Sequence, residues 1–244
     1  MDILLDDNQC LVISKPSGLL VEHDANHPAQ RGLDSALGQA KAWLKEKYQK
    51  PGNAFLQPVH RIDQPVSGAV VFARTSKAAS RLAESFRSRK VEKYYLAAVE
   101  GTLPRALSRL THHLRESERK GVMEAISSPT PDSKPCDLEL KRLTDHVALV
   151  KLGSGRKHQI RVQLAAIGCS IAGDAKYGAK TRLDDGAAIA LHSFRLIFPH
   201  PTRDELVDVI APLPDLWDQL DGHVHRRHLE ELAMEAIRAW GGTP

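Results

Sequence analysis

Residues 59–75 read VHRIDQPVSGAVVFART, a polar, turn-rich loop that runs straight into Ala69-Val70-Val71-Phe72-Ala73. That run is strongly β-prone and reads as a buried strand. Thr75 and Ser76 then offer helix caps, and Ala78, Leu82 and Phe86 share one face of a helix predicted over 77–89. Lys93 to Val99 reads as the following strand, ended by Gly101. Upstream, ILLDDNQCLVI at 3–13 splits at Asp6-Asp7-Asn8 into two strands joined by a tight turn, and Lys15-Pro16-Ser17-Gly18 stops the second. DSALGQAKAWLKEKY at 34–48 starts with a cap candidate, Asp34 or Ser35. It sets Leu37, Ala40, Trp43 or Leu44, and Tyr48 at helical spacing.

Downstream, the segment from about 104 to 136 turns polar and charged, and reads as a strand-loop-strand excursion. Leu138 to Leu143 and Val147 to Leu152 are successive strands of a meander. His158 to Ile167 suits a helix with Gly168 as its C-cap. Ala188 to Phe198 and Leu206 to Ile210 are the remaining strand candidates, and the tail from about 215 to 240 has apolar residues at near-helical intervals. Strands outnumber helices and do not alternate with them regularly, which predicts an α+β fold and disfavours a doubly wound parallel sheet. The expected architecture is a long, bent, mixed but mostly antiparallel sheet flanked by helices, with a central cleft. One domain is expected over 1–214, including the excursion at 105–135, with a helical extension at 215–244 packed on it.

Composition narrows the function classes. Lys and Arg number 34 against 30 Asp and Glu, a formal charge of +4 that suits a polyanion partner without requiring one. Aromatic residues make up 5%, too few for a platform that stacks a long single strand. The three cysteines, Cys10, Cys136 and Cys169, form no CxxC pair, so neither a zinc knuckle nor a disulfide framework is indicated. The twelve histidines show no metal-ligand spacing: His112 and His113 are adjacent, and His223, His225 and His228 fall in the tail. Phosphate loops of the GxGxxG and GxxxxGK[ST] types are absent. An acidic start and the lack of a long apolar run lead to the expectation of a cytoplasmic protein.

Asp63 stands beside His60 and Arg61 in a Pro/Ser/Gly loop before a buried-looking strand, where an ionised carboxylate is costly to hold without a partner or a purpose. Read locally, it is an Arg-paired loop carboxylate, a helix cap or a functional acid. Arg161 sits in an otherwise apolar run, five residues after Arg156, with His158, Gln159 and Ile160 before it. A buried guanidinium there calls for a carboxylate or a phosphate. Paired carboxylates also serve sugar hydrolysis, and Glu100 and Asp174 are the nearest candidates for a second acid.

Four segments taken together carry more than any one of them: HRIDQPVSG at 60–68, KYYLAAVEG at 93–101, SGRKHQIRVQLAAIGCSIAGDAKYG at 154–178 and LHSFRLIFPHPTRDEL at 191–206. In this order, and with DDNQCLVISKPSGLLV at 6–21 ahead of them, they resemble the RluA-type RNA pseudouridine synthases over nearly the whole chain. Val66, Ser154 and Gln163 depart from residues usual in that family, which bears on substrate choice. The resemblance implies a pseudouridine-synthase fold and isomerisation of a uridine in RNA without cofactor or metal. It implies Asp63 as nucleophile, Tyr95 as the active-site tyrosine and Arg161 as the partner of the Asp63 carboxylate. Arg61, His60, Arg156, His158, Gln159, Ile160 and Leu191 become candidate substrate contacts. Arg115, Arg119 and Lys120, with Arg105, Arg109, Lys157 and Lys176, become candidate phosphate contacts.

The implied partner is a stem-loop of ribosomal or transfer RNA with a flipped-out uridine, bound by a monomer. Larger relatives carry a small RNA-binding domain ahead of the catalytic one. Here the hairpin begins at about residue 3, so substrate selection is expected within the catalytic domain and its insertions. The alternative is a catalytically silent RNA-binding homologue acting in RNA folding or ribosome assembly.

Overall fold

The computed structural model describes residues 1–23, 35–49, 51–220 and 225–241. The first strands are β1 (Asp2–Asp6), β2 (Cys10–Lys15), β3 (Gln57–Pro58), β4 (Ser67–Ala73) and β5 (Glu92–Ala98). They are followed by β6 (Arg109–Glu116), β7 (Met123–Ile126), β8 (Lys134–Arg142), β9 (Val147–Leu152), β10 (Leu191–Pro199) and β11 (Leu206–Ile210). The α-helices are α1 (Ala36–Lys47), α2 (Ser76–Arg87), α3 (Gln159–Ala165) and α4 (Arg226–Arg238). Their contacts divide into two compact units, Met1–Glu92 with Ser193–Pro212 and Lys93–His192 with Leu213–Pro244. Asp34 and His223 lie outside the described residues.

In the first unit β2 lies between β1 and β4, antiparallel to both, with Ile13 opposite Val70. All seven residues of β4 are buried, which accounts for its unbroken apolar run. Thr75 caps α2 by accepting the Ala78 N–H at 3.1 Å. Ala78, Ala79 and Leu82 of α2 then close over Val12, Val71, Leu196 and Phe198. β11 runs antiparallel to β10. Ser35 caps α1, whose buried face is Ala36, Ala40 and Leu44. Tyr48, expected on that face, is 42% exposed because the helix ends one residue earlier. Its hydroxyl donates to Asp6 at 2.6 Å instead.

The second unit is an antiparallel meander in the order β5, β9, β8, β6, β7. The predicted excursion resolves into the β6–β7 hairpin, a loop, and the start of β8, which begins at Lys134 rather than at Leu138. Gly168, at φ +77°, follows α3, and its N–H donates to the Ala165 carbonyl at 2.9 Å. The tail holds a short 3-10 turn at Asp215–Gln219, which buries Trp217, and then α4. Lys141 on β8 donates to the Ala236 carbonyl of α4 at 2.9 Å, and the Trp240 ring stacks near Tyr94 of β5. Antiparallel pairing with helices that do not alternate with strands makes this an α+β fold.

Candidate active site

In the first unit, the loop carrying Asp63 is tied down on both sides of that residue. Upstream, His60 stacks on Phe86 of α2 with ring centroids 4.6 Å apart, and its Nε2 accepts the Val71 N–H of β4 at 3.0 Å. An accepting Nε2 places the ring proton on Nδ1, so His60 is fixed by the scaffold in one tautomer. Downstream, the Val66 N–H donates to the Asp63 carbonyl at 3.0 Å, closing a turn. Gly68 follows at φ +111°, and a Cβ there would lie 2.3 Å from the Ser193 carbonyl oxygen. Only glycine permits that approach. Asp63 itself is partly exposed, Arg61 is exposed, and Ile62 and Val66 are buried.

Beneath this loop lies Lys15, which in the sequence reads only as part of a strand terminator. Lys15 is fully buried, and its ammonium donates to the carbonyls of Pro16 at 2.8 Å, Leu19 at 2.7 Å and Gln64 at 3.1 Å. Burial pushes its pKa down to about 7, while the charge of Asp63 pulls it the other way. Three N–H donors meet three carbonyls, one of them on the residue after Asp63. The local signal was weak, since a lysine at a strand end is normally solvated.

In the second unit, Tyr95 is 6% exposed on β5, opposite Val150 of β9. The turn 154–159 is organised by Gln159, whose Oε1 accepts from the Ser154 hydroxyl at 2.7 Å and the Arg156 N–H at 3.1 Å. Its Nε2 donates to the Asp137 carbonyl of β8 at 2.9 Å. Gln159 is therefore a buried brace of the turn, and Ile160 is buried beside it. Arg156 is exposed, and Leu191 is buried at the start of β10. His158 stands before α3 in the left-handed region at φ 55°, with its Nδ1 2.6 Å from the Tyr177 hydroxyl.

Arg161 is 4% exposed and grips Asp174 with two parallel bonds, Nε to Oδ2 at 2.7 Å and a terminal nitrogen to Oδ1 at 2.8 Å. Such a fork-to-fork pair holds the guanidinium plane rigidly. The carboxylate demanded by a buried arginine in an apolar run is thus supplied within this unit by Asp174. The same bonds engage Asp174 as a structural anion. Glu100, the other acid weighed for sugar chemistry, accepts from the Lys180 N–H and from the Thr181 N–H and hydroxyl. Burial opposes ionisation of Glu100, but these bonds outweigh it and hold its carboxyl below the usual range.

The basic residues of the excursion differ in their commitments. Arg115 pairs with Glu124 across the hairpin, Arg109 reaches Asp137 at 3.1 Å, and Lys157 reaches Glu116 at 3.2 Å. Arg119 and Lys120 are exposed at the β6–β7 turn, and Arg105 and Lys176 are exposed as well. Among the described residues one set has metal-ligating types close together, Asp7, Cys10 and His200, with ligand atoms within 4.8 Å of one another. His200 Nδ1 accepts the Thr202 and Arg203 N–H groups, so Nε2 carries the proton and donates to Asp7 at 3.1 Å. Arg203 also binds Asp7 at 3.0 Å, and burial pushes the Cys10 thiol up to about 12. A cation would have to displace bonds already made.

Comparison with known proteins agrees with this architecture. Residues 9–166 match the sequence model of the family described as RNA pseudouridylate synthase. YhcT of Bacillus subtilis, named an uncharacterized RNA pseudouridine synthase, is 31% identical over 221 residues, covering 88% of this chain and 69% of that protein. Ribosomal large subunit pseudouridine synthase D of Xylella fastidiosa is 34% identical over 240 residues, 90% of this chain and 68% of its own. Among solved structures, Human RNA Pseudouridylate Synthase Domain Containing 1 superposes with a TM-score of 0.67 at 26% identity, over 100% of this chain and 95% of that one. Human RNA Pseudouridylate Synthase Domain Containing 4 gives 0.70 at 22% identity over 97% and 93%, a likeness of fold. With a family match over residues 9–166 and relatives at 31–34% identity along most of its length, the chain belongs to the RNA pseudouridylate synthase family, the isomerases that act on uridine in RNA.

Proposed function

We propose that the protein converts a specific uridine of structured RNA to pseudouridine with Asp63 as nucleophile. Residues 1–214 serve as the catalytic domain and 215–244 as its helical extension. The observation that carries this reading is the anchoring of the Asp63 loop, held by His60 on β4 and α2 and by the buried Lys15 ammonium at Gln64. Such a loop keeps a carboxylate at a fixed place without spending substrate binding energy on ordering it.

The reaction breaks the bond between uracil and ribose, turns the base while it stays enclosed, and rejoins the ribose to carbon 5. Atoms are conserved within the nucleotide, and no redox partner is required. Asp63 acts as the nucleophile, and Arg161 is the cationic residue assigned to the chemical step. Tyr95 stacks on the base and relays the carbon 5 proton, giving up its phenolic proton as it takes the new one, and nitrogen 1 of the turned ring ends protonated, so no proton is gained or lost overall. The target must leave its stack, so a uridine in a loop or bulge is the natural substrate. Relatives named for the ribosomal large subunit make its RNA the first substrate to test, with transfer RNA as the second.

Asp63→Asn keeps the side-chain volume and removes the charge and most of the nucleophilicity. Pseudouridine formation on ribosomal and transfer RNA should fall by at least about 1,000-fold, while RNA affinity and melting temperature stay close to wild type. Product formation by the variant at the wild-type rate would refute the nucleophile. A wild-type protein that binds these RNAs and forms no pseudouridine would favour a silent homologue.

A further inference from the structure

Tyr177 is the point in the second unit where three separate pieces of chain meet. Its hydroxyl accepts the Met123 N–H of β7 at 3.0 Å and lies 2.6 Å from His158 Nδ1. The hydroxyl thus joins β7 and the residue before α3 through one oxygen, whichever tautomer His158 adopts. The Tyr177 ring meets the His158 ring edge-on, and the Arg161 guanidinium carbon lies 5.1 Å over its face. Tyr177 also packs with Met123 and Ala125 of β7 against Leu114, Cys136 and Val162. Its own turn is tied to Asp174, the carboxylate that grips Arg161, through Tyr177 N–H to the Asp174 carbonyl at 3.0 Å.

The bond to His158 falls on a strained residue. A non-glycine side chain in the left-handed region at φ 55° is strained, and it sits immediately before the helix that carries Arg161. Movement of β7 against Tyr177 therefore bears on the start of α3 and on the face over which the guanidinium rests.

We propose that Tyr177 is a positioning residue linking the β6–β7 hairpin to Arg161, so that RNA held at the hairpin turn by Arg119 and Lys120 sets Arg161 for the chemical step. This rests on the roles given to Arg161 and Asp63 above. The hairpin then contributes to turnover as well as to affinity, and poorly fitting RNA is discriminated in kcat.

The test compares wild type, Tyr177→Phe, the turn variant Arg119→Ala/Lys120→Ala, and the combination, on an RNA that the wild type modifies. In wild type, the turn variant should raise KM and also lower kcat by about tenfold, an ordinary size for coupling between sites. In the Tyr177→Phe background the same turn substitutions should raise KM and leave kcat unchanged. A turn variant without effect on kcat, or an equal fall in kcat in both backgrounds, overturns the proposal. A loss of Tyr177 that merely loosened the structure would give additive effects.

Amide hydrogen exchange without RNA provides an arm that does not depend on activity. Tyr177→Phe should speed exchange in both Met123–Ile126 and Gln159–Ala165. Faster exchange confined to the hairpin would overturn the link. If the wild type forms no pseudouridine, the catalytic reading fails by itself, and the exchange arm still decides whether Tyr177 joins hairpin and helix.

Discussion

A lysine ammonium with no exposed surface is stable only if all three of its N–H groups find acceptors, and Lys15 finds them in the carbonyls of Pro16, Leu19 and Gln64. Lys15→Met keeps the stem and leaves those carbonyls without their donor. Urea unfolding at pH 7 should show a loss of about 3 kcal/mol, within the usual range for breaking a buried charged hydrogen-bond set. The pH dependence follows from burial, which depresses the folded-state pKa to about 7 against the ordinary lysine value in the unfolded chain. Between these values the unfolded chain binds the extra proton, so this group adds stability as pH rises from about 7 to about 10. The gap between wild type and Lys15→Met should therefore widen with pH over that window. A gap that narrows would mean the ammonium is held more tightly in the fold than in water.

Elements here are placed by a few close approaches. The stretch of β10 from Ser193 onward lies with β4 in the first unit, and Gly68 of β4 comes so near Ser193 that an added Cβ would lie 2.3 Å from its carbonyl oxygen and 2.6 Å from its nitrogen. Neither atom can move without shifting β10. The positive φ of +111° adds strain for any other residue. Gly68→Ala should destabilise the protein by about 3 kcal/mol or more, combining overpacking with backbone strain. It should also displace the neighbouring Asp63 loop, so that kcat falls even in the fraction that remains folded. Near-wild-type unfolding midpoints and turnover would show that the approach is slack.

For the whole molecule, affinity for RNA has to come from placement of charge, since 34 basic residues against 30 acidic leave a formal charge of only +4. Several basic residues offered to phosphates are already matched, Arg115 by Glu124 and Lys157 by Glu116. Arg119 and Lys120 are exposed at the hairpin turn and are the pair proposed above to meet RNA phosphates. Replacing both by Ala should reduce the slope of log K against log salt by about 1.4, two contacts at the value for single strands. Arg115→Ala should leave that slope unchanged and lower stability slightly. Equal changes in slope for Arg115 and for the turn pair would show that the Glu124 pairing opens when RNA binds.

What the sequence determined by itself was the kind and order of elements and the family. The turn at Asp7, the Thr75 cap, the unbroken run of β4 and the glycine after α3 each act within a few residues, so their signals survive in a linear reading. The four motifs did the same for the family and its isomerase class. The tertiary structure decided which groups those residues meet. Asp174 as the carboxylate of Arg161, Tyr177 as the junction between β7 and α3, and Lys15 under the loop at Gln64 all depend on segments far apart in the chain. Burial also sorted residues of like appearance, making Gln159 an internal brace and leaving Arg119 in solvent. A hydrogen bond or an ion pair is set by distances of about 3 Å, and such distances between remote segments exist only once the sheets and helices have packed.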